Sequence, residues 1–138
     1  MTEYLQNFPA SRLRRNRQSQ WIRNLVSENS LSVNDLIWPV FICDGNNIKE
    51  EIASMPGVFK YYIDRLNEVT DQAVDNKINL IALFPNTPND KKDKNGSEAL
   101  NEDNLVCKAL RKIKNQTLDL GIMCDVALDP YTSHGHDG

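Results

Sequence analysis

Three apolar runs, "DLIWPVFIC" (35–43), "INLIALFP" (78–85) and "LGIMCDVAL" (120–128), begin near residues 36, 78 and 120 and so recur about every 40 residues. Between them lie helical periods. Leu66, Val69, Ala73 and Val74 recur at i, i+3, i+7 and i+8, behind Asp64 as a cap. Leu105, Val106, Ala109, Leu110 and Ile113 form a second stripe, with Lys108, Arg111, Lys112 and Lys114 toward the end where cations suit the helix dipole. Short, nearly continuous apolar runs read as strands buried on both faces, and strands alternating with amphipathic helices imply parallel βα units. The chain is therefore expected to be α/β, and its chemistry to lie in the loops at the carboxyl ends of the strands.

The rest of the chain fits around that frame. Residues 1–18 carry Pro9 and the basic run "RLRRNR" without a period, and read as an extended arm. Ser19 can cap a short helix with Trp21, Ile22, Leu25 and Val26 on one face. "MPGVFKYYID" (55–64) reads as a turn and an extended piece, and Pro39 is awkward within a strand because it cannot donate to a ladder. The expected division is 1–34, arm and short helix, and 35–138, the parallel sheet. No GxGxxG or GxxxxGK[ST] follows any strand, so a nucleotide fold is not indicated. Three βα units cannot close an eight-stranded barrel of about 250 residues, so the expectation is a segment of a larger sheet, cut after its third strand.

Charge and cysteines exclude several classes. With a net charge of −3 the chain offers no general positive field for nucleic acid or an anionic membrane. No run approaches a membrane span, and no signal-peptide core is present. An organellar presequence built on Arg12, Arg14, Arg15 and Arg17 is opposed by Glu3 and the lack of an amphipathic stripe. Cys43, Cys107 and Cys124 are odd in number and widely spaced, which argues for a reducing cytoplasm and for core packing over a disulfide framework or a cysteine zinc site. Tyr61 and Tyr62 beside Lys60 could include a proton donor, but read better as packing residues.

The chemistry-bearing cluster is "DPYTSHGHDG" (129–138) with Asp125 just before it. Asp125, Asp129, His134, His136 and Asp137 could hold a divalent ion or act as acid and base. The same residues could equally satisfy backbone groups of a polar loop. Alternate spacing of His134 and His136 would let both rings face one ion, as in a small metal-dependent hydrolase.

"DVALDPYTSHGHDG" resembles the metal-loop signature of the porphobilinogen synthase (5-aminolevulinate dehydratase) family. The arginine-rich arm, "DLIWPVFICDG", "SMPGV", "IALFP" and "KDKNGSEALNEDNLVCKALRKIK" follow in that family's order and spacing. The resemblance implies a partial TIM (β/α)8 barrel, made of the arm and about the first three βα units, in a homo-octamer. It implies condensation of two 5-aminolevulinate molecules to porphobilinogen in tetrapyrrole synthesis, through two Schiff-base lysines that lie on later strands and are absent here. The segment alone is thus expected to be inactive. An assembly-modulating, non-enzymatic fragment is the other reading.

Zinc-dependent members carry cysteines where this chain has Ala127, Asp129 and Asp137. The resemblance is therefore to the aspartate form, which implies magnesium or a monovalent cation and no cysteine-ligated zinc. By the same resemblance Asp125, Asp129 and Asp137 are expected catalytic residues, Asp125 and Asp137 bind substrate, and Asp129 and Asp137 are candidate metal ligands. Ser133 and His134 shape the loop, and Arg12, Arg14 and Arg15 become subunit contacts.

Overall fold

The computed structural model describes residues 9, 11–46, 49–117 and 119–137. Residues 1–8 and 10 of the expected arm and Gly138 of the terminal motif lie outside the described residues. The chain forms two compact units, Met1–Leu31 and Ser32–Gly138.

In the first unit a 3-10 turn, Arg15–Arg17, precedes helix α1, Gln20–Leu25. Arg23 ties the two, donating to the Arg17 carbonyl and to Gln20 Oε1, each at 2.7 Å. Ser19 occupies the N-cap position in extended conformation, though its hydroxyl makes no capping bond. Trp21 and Leu25, on the predicted apolar face, are 68% and 77% exposed.

The second unit is a five-stranded sheet. Its strands are β1 (Ile37–Cys43), β2 (Lys49–Glu51), β3 (Phe59–Tyr62), β4 (Leu80–Asn86) and β5 (Gly121–Cys124), in the spatial order β2-β3-β1-β4-β5. β3, β1, β4 and β5 are mutually parallel, and β2 closes the edge antiparallel to β3. β1, β4 and β5 are the three predicted runs. β5 stops at Cys124, so residues 125–128, expected as strand, are loop.

The turn and extended piece expected over 55–64 are the hairpin turn and β3, while β2 is the strand absent from the sequence reading. The hairpin turns through Met55 and Gly57, with Ile52 N–H bonded to the Val58 carbonyl at 2.8 Å. Three residues of "KEE" carry no apolar alternation, and β3 is defined by distant pairing with Phe41–Cys43. Pro39 finds its place through the same register. β4 pairs along the whole of β1, whereas β3 pairs only from Phe41 onward, so at Pro39 the strand has a neighbour on one side alone.

Helices α2 (Leu66–Asp75) and α3 (Leu105–Lys114) cover one face of the sheet. Leu66, Val69 and Ala73 of α2 and Leu105, Ala109 and Ile113 of α3 meet Val40, Ile42, Ile81 and Leu83 in the core. Val74, expected on the buried stripe, is 61% exposed, because the face centres on Leu66, Val69, Thr70 and Ala73. Asp64 is not the cap of α2. The chain enters through a 3-10 turn, Ile63–Arg65, which moves the N-cap to Arg65. α3 has a side-chain cap: Asn104 Oδ1 accepts the Cys107 N–H at 2.9 Å.

Burial on both faces does not hold. The second face carries Phe41, Ala82, Phe84 and Met123, with the Phe41 and Phe84 ring centres 5.9 Å apart. Phe84 and Met123 are 36% and 44% exposed, since no layer of the described residues covers them. The near-continuous apolar runs suit a sheet meant to be covered twice.

Candidate active-site cleft

The uncovered face and the carboxyl ends of β1 and β4 meet in a cleft of about 450 Å³. Its floor is Phe41, Phe84 and Pro85; Ile52, Met55 and Lys60 enter from the hairpin, and Asn86 and Lys92 from the end of β4 and its loop. The terminal loop supplies Asp129, Pro130 and Gly135. Among these described lining residues Asp129 is the one carboxylate, set in a cleft that also holds two ammonium groups on an apolar floor.

Gly135 has φ of +71°, a left-handed turn that an L side chain adopts at a cost, and it places the loop backbone at the cleft. The loop after β4 and the terminal loop are joined by backbone. Asp93 N–H donates to the Tyr131 carbonyl at 3.3 Å and Ser133 N–H to the Asp93 carbonyl at 2.8 Å. The Asp93 side chain folds its own loop, accepting from Asn95 N–H at 2.8 Å and Ser97 N–H at 3.1 Å.

A bond from the Ser97 side chain first, and then the backbone bonds, hold the Asp93 carboxyl below its ordinary value. A carboxyl whose folded value is depressed stabilises the fold above its unfolded value and loses that contribution as pH falls through the folded one. Protection of the Asn95 and Ser97 amides, followed by NMR, is therefore expected to persist at neutral pH and to decay only at pH values below the ordinary carboxylate range. In Asp93→Ala it is expected to be absent at every pH. Protection unchanged in that variant would refute the assignment.

Just past the carboxyl end of β1, Lys91 Nζ lies 2.9 Å from Asp44 Oδ2. The pairing lowers the Asp44 carboxyl and raises the Lys91 ammonium. Lys91 is thereby committed to a surface pair, whereas its neighbour Lys92 is half-buried at the cleft. Lys60, noted in the sequence only as a neighbour of tyrosines, also reaches the cleft, and lies 3.6 Å from Glu50. The signal for both was through-space, since neither belongs to a motif. Tyr61 is core, 5% exposed. Tyr62 packs its ring against Gly45, whose φ of +136° and missing side chain leave the room. Burial pushes the Cys43 and Cys124 thiols up, which keeps them protonated, and all three cysteines are free.

The other predicted site residues are not brought to one point. Asp125 is exposed just past β5 and does not line the cleft. Asp137 faces its own loop, where Oδ1 accepts the N–H groups of Leu128 at 2.5 Å and Asp129 at 2.9 Å. His134 and His136 are exposed and stacked with ring centres 6.1 Å apart, and His134 Nδ1 accepts the His136 N–H at 3.3 Å.

Among the described residues no three of His, Cys, Asp or Glu converge on a metal position. The hydrolase reading, which needs His134, His136, Asp129 and Asp137 on one ion, is therefore not supported by the loop. A magnesium ion takes about six oxygens in near-octahedral geometry. With one Asp137 oxygen engaged by two amides, the Asp129–Asp137 pair does not make such a shell.

Comparison with known proteins gives a consistent family. The model of the family described as Delta-aminolevulinic acid dehydratase matches residues 10–138. The chain is 53% identical over 129 residues to the delta-aminolevulinic acid dehydratase of Bradyrhizobium diazoefficiens, covering 94% of this chain and 36% of that protein. To the Chlamydia pneumoniae protein of the same name it is 46% identical over 127 residues, covering 92% and 38%. The crystal structure of delta-aminolevulinic acid dehydratase (porphobilinogen synthase) from Toxoplasma gondii ME49, in complex with the reaction product porphobilinogen, matches with a TM-score of 0.84 at 35% identity. That match covers 93% of this chain and 36% of the other. The chain thus spans between 36% and 38% of the length of these relatives.

Proposed function

This chain belongs to the delta-aminolevulinic acid dehydratase family, and from that premise we propose that it supplies the arm and first three βα units of a porphobilinogen synthase. The reaction is the condensation of two 5-aminolevulinate molecules to porphobilinogen, with loss of two waters. The observation that carries this reading is Asp129, held in an amphipathic cleft at the carboxyl ends of parallel strands, where such folds do chemistry. In that position its carboxylate can hold a substrate ammonium and accept a proton. Asp125, past the end of β5, is a second carboxylate at the same end of the sheet.

By the resemblance, the Schiff-base lysines lie on later strands, so the chain by itself is expected to have no turnover. A hard cation is the group that an aspartate-type loop would take. Here it would need donors beyond the two aspartates. Assembly as a homo-octamer is part of the same reading. Exposed Arg12, Arg14 and Arg15, with Trp21 and Leu25 open on α1, are the surface that would meet another copy. Free cysteines agree with a cytoplasmic setting. No helix of the described residues is long and apolar enough to cross a membrane.

The test is a chimera in which residues 1–138 replace the matching segment of the Bradyrhizobium diazoefficiens relative. It is expected to form porphobilinogen from 5-aminolevulinate, and borohydride is expected to trap a substrate adduct on it. The chain alone should do neither. A folded chimera without product would overturn the functional reading, and product from the chain alone would overturn the placement of the lysines.

A further inference from the structure

The terminal loop is closed by its own side chains. Asp137 Oδ1 receives two consecutive amides, those of Leu128 and Asp129, so the last aspartate of the motif is bonded to the first. Bonds from N–H groups to a carboxylate are charge-assisted and stronger than neutral ones. Thr132, 3% exposed, adds a second closure by donating from Oγ1 to the His136 carbonyl at 3.0 Å. The backbone bonds of Tyr131 and Ser133 to Asp93 fix the middle of the loop to the neighbouring one. The residue whose departure point this fixes most directly is Asp129, because its own N–H is one of the two amides held.

We propose that Asp137 is a positioning residue: its carboxylate clasps the Leu128 and Asp129 amides and so holds the Asp129 side chain in the cleft, with no metal ion needed for that task. The proposal rests on the functional reading only in taking Asp129 as the group that meets substrate; the clasp itself is independent of it. The chemistry separates the roles. Clasping needs an oxygen acceptor, which asparagine keeps. Ligating magnesium or balancing a substrate ammonium needs the charge, which asparagine lacks.

The experiment follows hydrogen exchange of the Leu128 and Asp129 amides by NMR in the 138-residue chain, in Asp137→Asn and in Asp137→Ala, with and without millimolar magnesium chloride. The parent and Asp137→Asn are expected to agree within about threefold, with Asp137→Ala exchanging roughly tenfold to a hundredfold faster. Magnesium should change neither amide, and the Ile81–Leu83 amides of β4 should report an unchanged sheet. In the chimera, asparagine at 137 is expected to restore the larger part of the kcat/KM that alanine loses.

Unprotected amides in the parent, asparagine as damaging as alanine, or release of the two amides by magnesium would each overturn the clasp. If Asp137→Ala fails to fold, the asparagine variant and the magnesium titration still decide. An inactive chimera with protected amides would count against the functional reading alone.

Discussion

Asp129→Asn in the chimera is expected to lower kcat/KM for 5-aminolevulinate by about 100-fold, the lower end of what a positioned acid or base contributes. The substitution keeps shape and removes charge and proton affinity. Its effect is large because of where the side chain sits. Phe41, Phe84, Ile52 and Met55 give the cleft an apolar wall, and Asp129, itself solvent-exposed, is the carboxylate set there beside Lys60 and Lys92. Of the described residues lining the cleft no other is acidic, so neither Lys60 nor Lys92 can take over the role. The measurement is steady-state porphobilinogen formation, with intact oligomer checked by sedimentation. A loss of less than about threefold would remove Asp129 from the chemistry, and an equal loss at Asp125, which does not line the cleft, would move the site toward β5.

Ile81→Ala is expected to destabilise the sheet unit by about 2–5 kcal/mol, measured as a fall in the urea midpoint. Ile81 is fully buried near the start of β4, opposite Trp38 on β1 and Ile122 on β5, in the cluster that joins both helices to the sheet. Truncation leaves a cavity where three strands and two helices meet. Against a typical stability of about 5–15 kcal/mol, that loss brings the fold close to its limit. Val74→Ala is the matched comparison, expected within about 0.5 kcal/mol because the side chain is 61% exposed. Equal costs at the two positions would mean that α2 presents a different face to the sheet.

The two substitutions also show where sequence and structure part. Ile81 lies in a run whose length and composition mark a buried strand without further information. Val74 was placed on the apolar stripe of α2 by the same periodic rule. It falls outside because a stripe of four residues on a ten-residue helix is centred by the surface it packs on, and Thr70, a polar residue, took the central position. The end of β5 is a similar case. "LGIMCDVAL" is apolar to Leu128 but for Asp125, yet pairing with β4 stops at Cys124, opposite Leu83. Only the register says so.

The site divides in the same way. The terminal motif marked Asp129 and Asp137 by type and spacing, and the resemblance added a family. What each aspartate does depended on closure of the loop, in which a carboxylate eight residues on captured the Asp129 amide. His134 and His136 had the alternate spacing of two ligands, yet the Nδ1 of one accepts the backbone N–H of the other. Lys60 and Lys92 reach the cleft from a hairpin that has no apolar pattern and from a charged run that reads as solvated surface.

By itself, then, the sequence determined the α/β class, the order of its three main strands and two covering helices, and the loop that carries the chemistry. These follow from local chain periodicity, and each is written in neighbouring residues. Only the tertiary structure decided the β2–β3 edge, the uncovered second face, the membership of the cleft and the division of labour between Asp129 and Asp137. Those depend on hydrogen bonds and packing between residues far apart in the chain, and a pattern of neighbours does not encode which distant partner satisfies a given donor.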